Sequence, residues 1–333
     1  MLATDTLKTQ RSEGIRRVNL TRDLRPIADL IEVCFGPRLD AGGRATIREL
    51  RALSRLGPLL HVMALGDRML RGIGQGFVWE VNGAIVGNVT LFPADYPADL
   101  GRVIAVANVA VAPEYRRRGI ARRLMEASLE AIRAGGGTAA ILQVDADNSG
   151  AQRLYESLGF RVERHFSTWY RGHSLLPPPR PLHSPRIDPR PAALWQAEYA
   201  LAQRLFPPEK GGFGWQRPLH PREFRSSLAG ELLGLLSGTS TERWIVREGE
   251  TLRAALWART RLASGSVQLT LLFPPEAHPT IAEPLLNHAV HRLTGSYRPL
   301  TCEHPADDTA TSRLLERYQF RCRRTLTHMR LDL

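Results

Sequence analysis

The chain has 333 residues, 43% hydrophobic and 23% charged, the balance of an ordinary globular protein long enough for two cores. Its net charge of +12 is carried almost wholly by arginine, since Lys8 and Lys210 are its two lysines, and no basic run is interleaved with aromatics, so specific nucleic-acid binding is not expected. Cys34, Cys302 and Cys322 are too widely spaced for a disulfide framework or a zinc site, the opening 1–17 is polar, and no apolar run nears the roughly 20 residues of a membrane span; a soluble cytoplasmic protein without a metal is expected.

In chain order, 14–19 reads as a short strand. A helix capped by Thr21 or Asp23 follows, with Leu24, Ile27, Ile31 and Cys34 on one face and Pro26 tolerated in its first turn. A second helix is expected over 45–56 and a loop with a short helix over 59–76. Two strands, 77–81 and 84–92, flank Asn82-Gly83, whose positive φ angles suit a tight hairpin. A loop over 93–101 carries Asp95 and Asp99.

The stretch 108–132 reads as strand, turn and helix. Asn108-Val-Ala-Val-Ala112 is small and β-branched, Pro113 marks the junction, and Ala121, Met125, Leu129 and Ile132 make a helical stripe. The turn between them, Arg116-Arg117-Arg118-Gly119-Ile120-Ala121, has small residues where a ligand meets backbone. It opens a helix whose first amides lack internal partners, with Arg122 just beyond, and so forms an anion site suited to a diphosphate. Gly135-Gly-Gly137 ends that helix, 138–144 is a strand, Asp147 or Asn148 caps a helix to Leu158, and 160–170 is the last strand of this half.

Two segments together, Val111-x-Pro113-x-x-Arg116-x-x-Gly119-Ile-Ala121 and Asn148-Ser-Gly-Ala-Gln-Arg-Leu-Tyr155-Glu-Ser-Leu-Gly-Phe160, resemble the signatures of the GCN5-related N-acetyltransferase (GNAT) superfamily. The resemblance implies an α/β fold with a mixed sheet in which two neighbouring parallel strands splay apart, and acetyl-CoA as co-substrate. It implies that the pyrophosphate lies on residues 116–122, that the acyl arm runs along Val109, Ala110 and Val111, and that Asn148 borders the cofactor. Tyr155 is the implied general acid, able as a phenol to protonate the departing thiolate.

The segment 177–191 holds seven prolines and reads as a stiff linker. Domains are therefore expected at 1–172 and 192–333, joined by 173–191. The second half repeats the first faintly, with helices expected at 192–205 and 221–236 and strands at 243–247, 252–261 and 266–273. Residues 273–286 overlay 111–125 with one residue missing, and 308–320 overlay 148–160. His278 replaces Arg116, Pro279 brings no N–H, Thr280 stands for Gly119 and Leu315 for Tyr155. The second copy is accordingly expected to be a degenerate GNAT domain that supports the first or walls the acceptor site. That architecture resembles the tandem mycothiol synthases, in which the carboxy-terminal copy is the active one.

The front half also resembles ribosomal-protein alanine N-acetyltransferases, which place a glutamate five residues before the asparagine. Gln143 stands there and cannot accept a proton, which leaves Glu80, Asp145, His165 or a water as the base. Asp95 and Asp99 are placed to draw a cationic amine. The expected activity is acetyl transfer from acetyl-CoA to a primary amine of a small molecule, with a peptide amino terminus the lesser choice, by a monomer or homodimer. A non-catalytic acyl-CoA-binding regulatory module is the alternative.

Overall fold

The first helix, α1 (Leu20–Phe35), starts where a side chain replaces a missing helical partner. Asn19 is its cap, its Oδ1 accepting from the amide of Thr21 at 3.0 Å. Asp23 lies inside the first turn, accepting from the Asn19 amide at 2.7 Å and from Arg16 at 2.6 Å, so the expected caps Thr21 and Asp23 both lie past the observed one. The computed structural model describes residues 13–36, 41–57, 73–94, 96, 101–173, 179, 181–182, 185–214, 217, 219–225, 238–261, 265–295 and 297–333, the side chains at 41 and 42 excepted. Asp95, Asp99 and most of the expected 59–76 loop and 221–236 helix lie outside the described residues.

In the front half, β1 (Glu13–Arg17) is followed by α1, α2 (Ala41–Leu53), β2 (Phe77–Val81), β3 (Ala84–Pro93), β4 (Val103–Val111), α3 (Ile120–Ala134), β5 (Ala139–Asp145), α4 (Ser149–Ser157) and β6 (Arg161–Arg171). The β2–β3 hairpin turns at Asn82 (φ 52°) and Gly83 (φ 82°), as its sequence requires. The rear half runs through β7 (Ile187–Pro189), α5 (Trp195–Leu205), α6 (Pro221–Phe224), β8 (Thr239–Glu248), β9 (Thr251–Arg261), β10 (Val267–Leu272), α7 (Ala282–Thr294), β11 (Leu300–Pro305), α8 (Thr309–Arg317) and β12 (Arg321–Asp332). Three residues of the proline-rich segment thus form β7, which pairs with β8 at the outer edge, a place where proline's missing N–H costs no ladder bond.

All these strands form one sheet of order β1-β2-β3-β4-β5-β12-β6-β11-β10-β9-β8-β7. The closing strands of the two halves are exchanged. β12, the end of the chain, pairs with β5 of the front half, while β6 lies between β12 and β11.

The two central parallel pairs part in the same way. Pairing of β4 with β5 stops at Val106 and Leu142, although the strands continue to Val111 and Asp145. In the rear half, β10 and β11 part after Leu269 and Cys302. Both sheet faces are covered. On one, Leu124, Met125, Leu129 and Ile132 of α3 pack over Ile104, Val106, Ala140 and Leu142, and α7 with α8 covers the rear strands likewise. On the other, Phe92, Ala94 and Tyr96 cover Val103, Ala105, Ala139 and Ile141, and α5 covers Ile245, Ala255 and Trp257. Alternation along each strand assigns the two sets to opposite faces.

Candidate active site

The gap between β4 and β5 leaves the backbone of β4 beyond Val106 without a ladder partner on its β5 side. On its other side, the register with β3 slips between Asn88↔Ala110 and Thr90↔Ala107. Asn108, at φ 53°, belongs to the resulting bulge at Asn108–Val109. Asn88, fully buried, secures the bulge by donating from Nδ2 to the Asn108 carbonyl at 3.1 Å, and its Oδ1 has no partner among the described residues. Val109, Ala110 and Val111 therefore line the gap, with bare backbone on the side where an extended ligand adds like a strand.

The strand ends in a tight turn, Pro113–Tyr115, and Arg117 takes φ 62°. Gly119 caps α3 in the left-handed region (φ 79°, ψ 0°), which favours glycine, and a Cβ added to it would meet nothing within 4 Å. The first intrahelical bond runs from Arg123 N to Gly119 O, at 3.1 Å. The amides of Ile120, Ala121 and Arg122 therefore have no intrahelical partner at the positive end of the helix, an arrangement able to take an anion.

The four arginines differ in availability. Arg116 donates from Nε to the Val111 carbonyl at 3.1 Å; Arg118 donates to the Glu114 carbonyl and stacks on Tyr115; Arg122 bonds Ser157 Oγ at 2.6 Å. Arg117 is exposed and has no hydrogen bond or ion pair among the described residues. Arg122 thus offers its amide, with its guanidinium occupied by α4. Asn148 caps α4, its Oδ1 accepting from Ala151 N at 3.2 Å, so only its amide nitrogen is left for a ligand.

Tyr155 projects from α4 with its ring buried, 5% exposed, edge-on to Phe160. Its hydroxyl bonds no protein group among the described residues. Burial pushes its pKa up to about 12, so it is a protonated donor throughout the neutral range.

The expected bases are occupied. Glu80 is paired with Arg16 at 2.6 Å and Arg22 at 3.4 Å, Asp145 lies 3.6 Å from Arg324, and His165 Nδ1 is 3.1 Å from Thr327 Oγ1. Gln143, the first residue of β5 beyond the paired region, bonds His328 of β12 across the strand exchange, Nε2 to Nε2, at 2.9 Å. Burial, with His165 adding to it, lowers the His328 pKa to about 4; the ring is neutral and accepts from the Gln143 amide. Sequence reasoning missed both His328, a distant residue, and Glu163. The β12–β6 register slips between His328↔Arg164 and Met329↔Val162, and Glu163 is the extra residue.

The matching place in the rear half is built differently. A hollow of about 570 Å³ opens there, bordered by Phe273, Glu276, His304 and Asp308. Asp308 caps α8 and binds His304 (2.9 Å) and Thr311 (2.7 Å), and His278 Nε2 is 3.2 Å from the Thr311 hydroxyl. The cap of α7 is Ile281 at φ −118°, with no left-handed residue, and Pro284 in its first turn brings no N–H. Among the described residues no group of three or more His, Cys, Asp or Glu could hold a metal, and no helix is long and apolar enough to cross a membrane.

Comparison with known proteins agrees with this geometry. Residues 53–160 match the model of the Acetyltransferase (GNAT) family. The chain is 38% identical over 69 residues to the [ribosomal protein bS18]-alanine N-acetyltransferase of Salmonella typhimurium, covering 20% of this chain and 47% of that protein. It is 31% identical over 159 residues to the mycothiol acetyltransferase of Nocardia farcinica, covering 45% and 47%. The chain spans about half the length, or less, of the curated relatives it matches. Among solved structures, a GCN5-related N-acetyltransferase from Sphaerobacter thermophilus superposes with a TM-score of 0.63 at 16% identity over 96% of this chain and 95% of that one. A tandem GNAT protein from the clavulanic acid biosynthesis pathway gives 0.53 at 13% identity, over 96% and 98%. Residues 53–160 thus match the GNAT acetyltransferase family, and the chain as a whole shares the fold of these solved GNAT proteins, one of them a tandem protein.

Proposed function

We propose that the protein transfers an acetyl group from acetyl-CoA to a primary amine of a small molecule, by direct attack of the amine on the thioester in the β4–β5 gap. The observation that carries this reading is the coincidence, at one end of one strand, of the parted pair, the bulge at Asn108–Val109 and the free-amide turn at Gly119. The turn's amides and Arg117 take the pyrophosphate, and the exposed backbone of Val109–Val111 takes the acyl arm. A β4 amide facing the gap donates to the thioester oxygen as charge builds on it. The C–N bond forms as the C–S bond breaks, and Tyr155 gives its proton to the departing sulfur. Burial that weakens the phenol as an acid also makes the thiolate a stronger base, so the transfer stays matched. The proton lost by the amine nitrogen restores the phenol.

A small amine is preferred to a peptide terminus because Gln143 stands where the ribosomal-protein enzymes are expected to carry a carboxylate. On this reading the active domain is 1–172, and the rear copy from 192 onward supports it and closes the acceptor side. The test is release of free thiol from acetyl-CoA with a panel of amines. Turnover with at least one small amine, lost in Tyr155→Phe, is expected; coenzyme A binding without turnover on any amine would support the regulatory module instead.

A further inference from the structure

The exchanged strands create a region with no counterpart in either half alone. From the gap, Gln143 leads across its register partner His328 to the β6 bulge at Glu163, all on the face bearing Ile141. The bulge has a directional consequence, because the extra residue leaves the ladder and its side chain is re-aimed. Gly211, in the rear half at φ 82°, passes so close that a Cβ there would lie 3.6 Å from Glu163 Oε2 and 3.9 Å from His328 Nδ1. On the opposite flank Tyr96, packed over Val103, Ala105, Ala139 and Ile141, is near enough to feel the Glu163 charge.

Glu163 is only partly exposed, yet it has no hydrogen bond or ion pair among the described residues. Its basic neighbour Arg330 is paired with Asp332 at 2.7 Å, and His328 is neutral. In a chain of net charge +12, a half-buried carboxylate left without a cation is a place for one to be brought in. Burial, offset in part by Arg330 and reinforced by Asp332, pushes its pKa up to about 7. From β5 to β6 is two strand spacings, about 10 Å. That span suits a molecule with an attacking amine at the gap and a second cationic group a few bonds away.

We propose that the face of the exchanged strands around Gln143 and Glu163 is the acceptor subsite, and that Glu163 selects diamines there by binding the ammonium that is not acetylated, beside the rear-half backbone at Gly211. This rests on the acetyltransferase reading for its orientation to the gap. The second ammonium keeps its proton, and Glu163 changes no bond order.

The experiment compares putrescine with butylamine as acceptors. The full-length protein is expected to prefer putrescine at least ten-fold in kcat/KM, mainly through KM. Glu163→Gln is expected to cut that ratio at least ten-fold. Gly211→Asn, whose residue type tolerates the left-handed backbone, places a side chain against the Glu163 carboxylate and is expected to raise the putrescine KM while the protein stays folded by circular dichroism. The ratio should also rise between pH 6 and 8 as Glu163 loses its proton, among the facing groups Tyr96, Arg330, Asp332 and His328; butylamine corrects for deprotonation of the attacking amine. A wild-type ratio near one, or a ratio that Glu163→Gln does not change, overturns the proposal. If no amine turns over, calorimetric titration of putrescine and butylamine into the coenzyme A-bound protein decides the point separately. Putrescine binding that is weakened ten-fold by Glu163→Gln upholds the subsite although the acetyltransferase reading has failed, and equal binding of the two amines refutes it.

Discussion

Replacing Tyr155 by Phe removes one oxygen and leaves the ring in place. The ring keeps its burial and its edge contact with Phe160, and the hydroxyl forfeits no protein hydrogen bond among the described residues, so stability should change by no more than about 0.5 kcal/mol. The chemical loss is far larger. A positioned general acid contributes on the order of 10²-fold or more, and 10²-fold corresponds to about 2.7 kcal/mol of barrier. The expected result is a fall of at least about 100-fold in kcat, with the KM for the amine and the coenzyme A affinity within about three-fold of wild type, because only the transition state loses a contact. Since burial places the phenol near 12, the wild-type rate should show no alkaline limb attributable to this group below about pH 10. Stopped-flow thiol release and calorimetry measure the two quantities separately. A kcat within about three-fold of wild type would refute the assignment, as would a loss matched by weaker cofactor binding.

Gly87→Ala tests how α3 is seated, because its Cβ would lie 3.0 Å from Ile120 Cγ2, Leu124 Cδ1 and Trp79 Cβ. Overpacking there should cost about 1–3 kcal/mol in denaturant unfolding and weaken coenzyme A binding by shifting the first turn of the helix. Glu198→Ala removes a fully buried carboxylate that lies 3.2 Å from Arg190 and 3.6 Å from Arg243 and accepts from Trp257 Nε1 at 2.5 Å. Two desolvated guanidiniums would be left uncompensated, so the unfolding free energy should fall by about 3–5 kcal/mol, and a change under about 1 kcal/mol would contradict the packing described.

The parts of the fold that were legible are those encoded within a few residues of one another. Asn82-Gly83 specifies its hairpin because both residues tolerate positive φ. Gly119 marks the helix opening for the same reason, and Asn148 is a cap because its short side chain reaches the third amide on. At α1 the same logic chose residues within the first turn: Thr21 and Asp23 are also good caps by type, and only the structure shows Asn19 in that place with Asp23 drawn off to Arg16. The exchange of β6 and β12 was not legible, because an alternating strand carries no label for its neighbour. Reading Phe160–Tyr170 as the last strand of the front half located the strand correctly while saying nothing of its partners β11 and β12. His328 and Glu163 were hidden for the same reason. One reaches Gln143 from 185 residues away, and the other is exposed by a bulge that exists only in the exchanged pairing.

The turn at Gly119 carries the heaviest weight, and calorimetric titration of coenzyme A tests it most directly. The account predicts one site per chain, lost on Gly119→Glu, which puts a carboxylate where the phosphates belong, and retained in good part by Gly119→Asn, which accepts the left-handed backbone without the charge. Binding that survives Gly119→Glu undiminished, or that depends instead on residues of the rear gap such as His304, would contradict it.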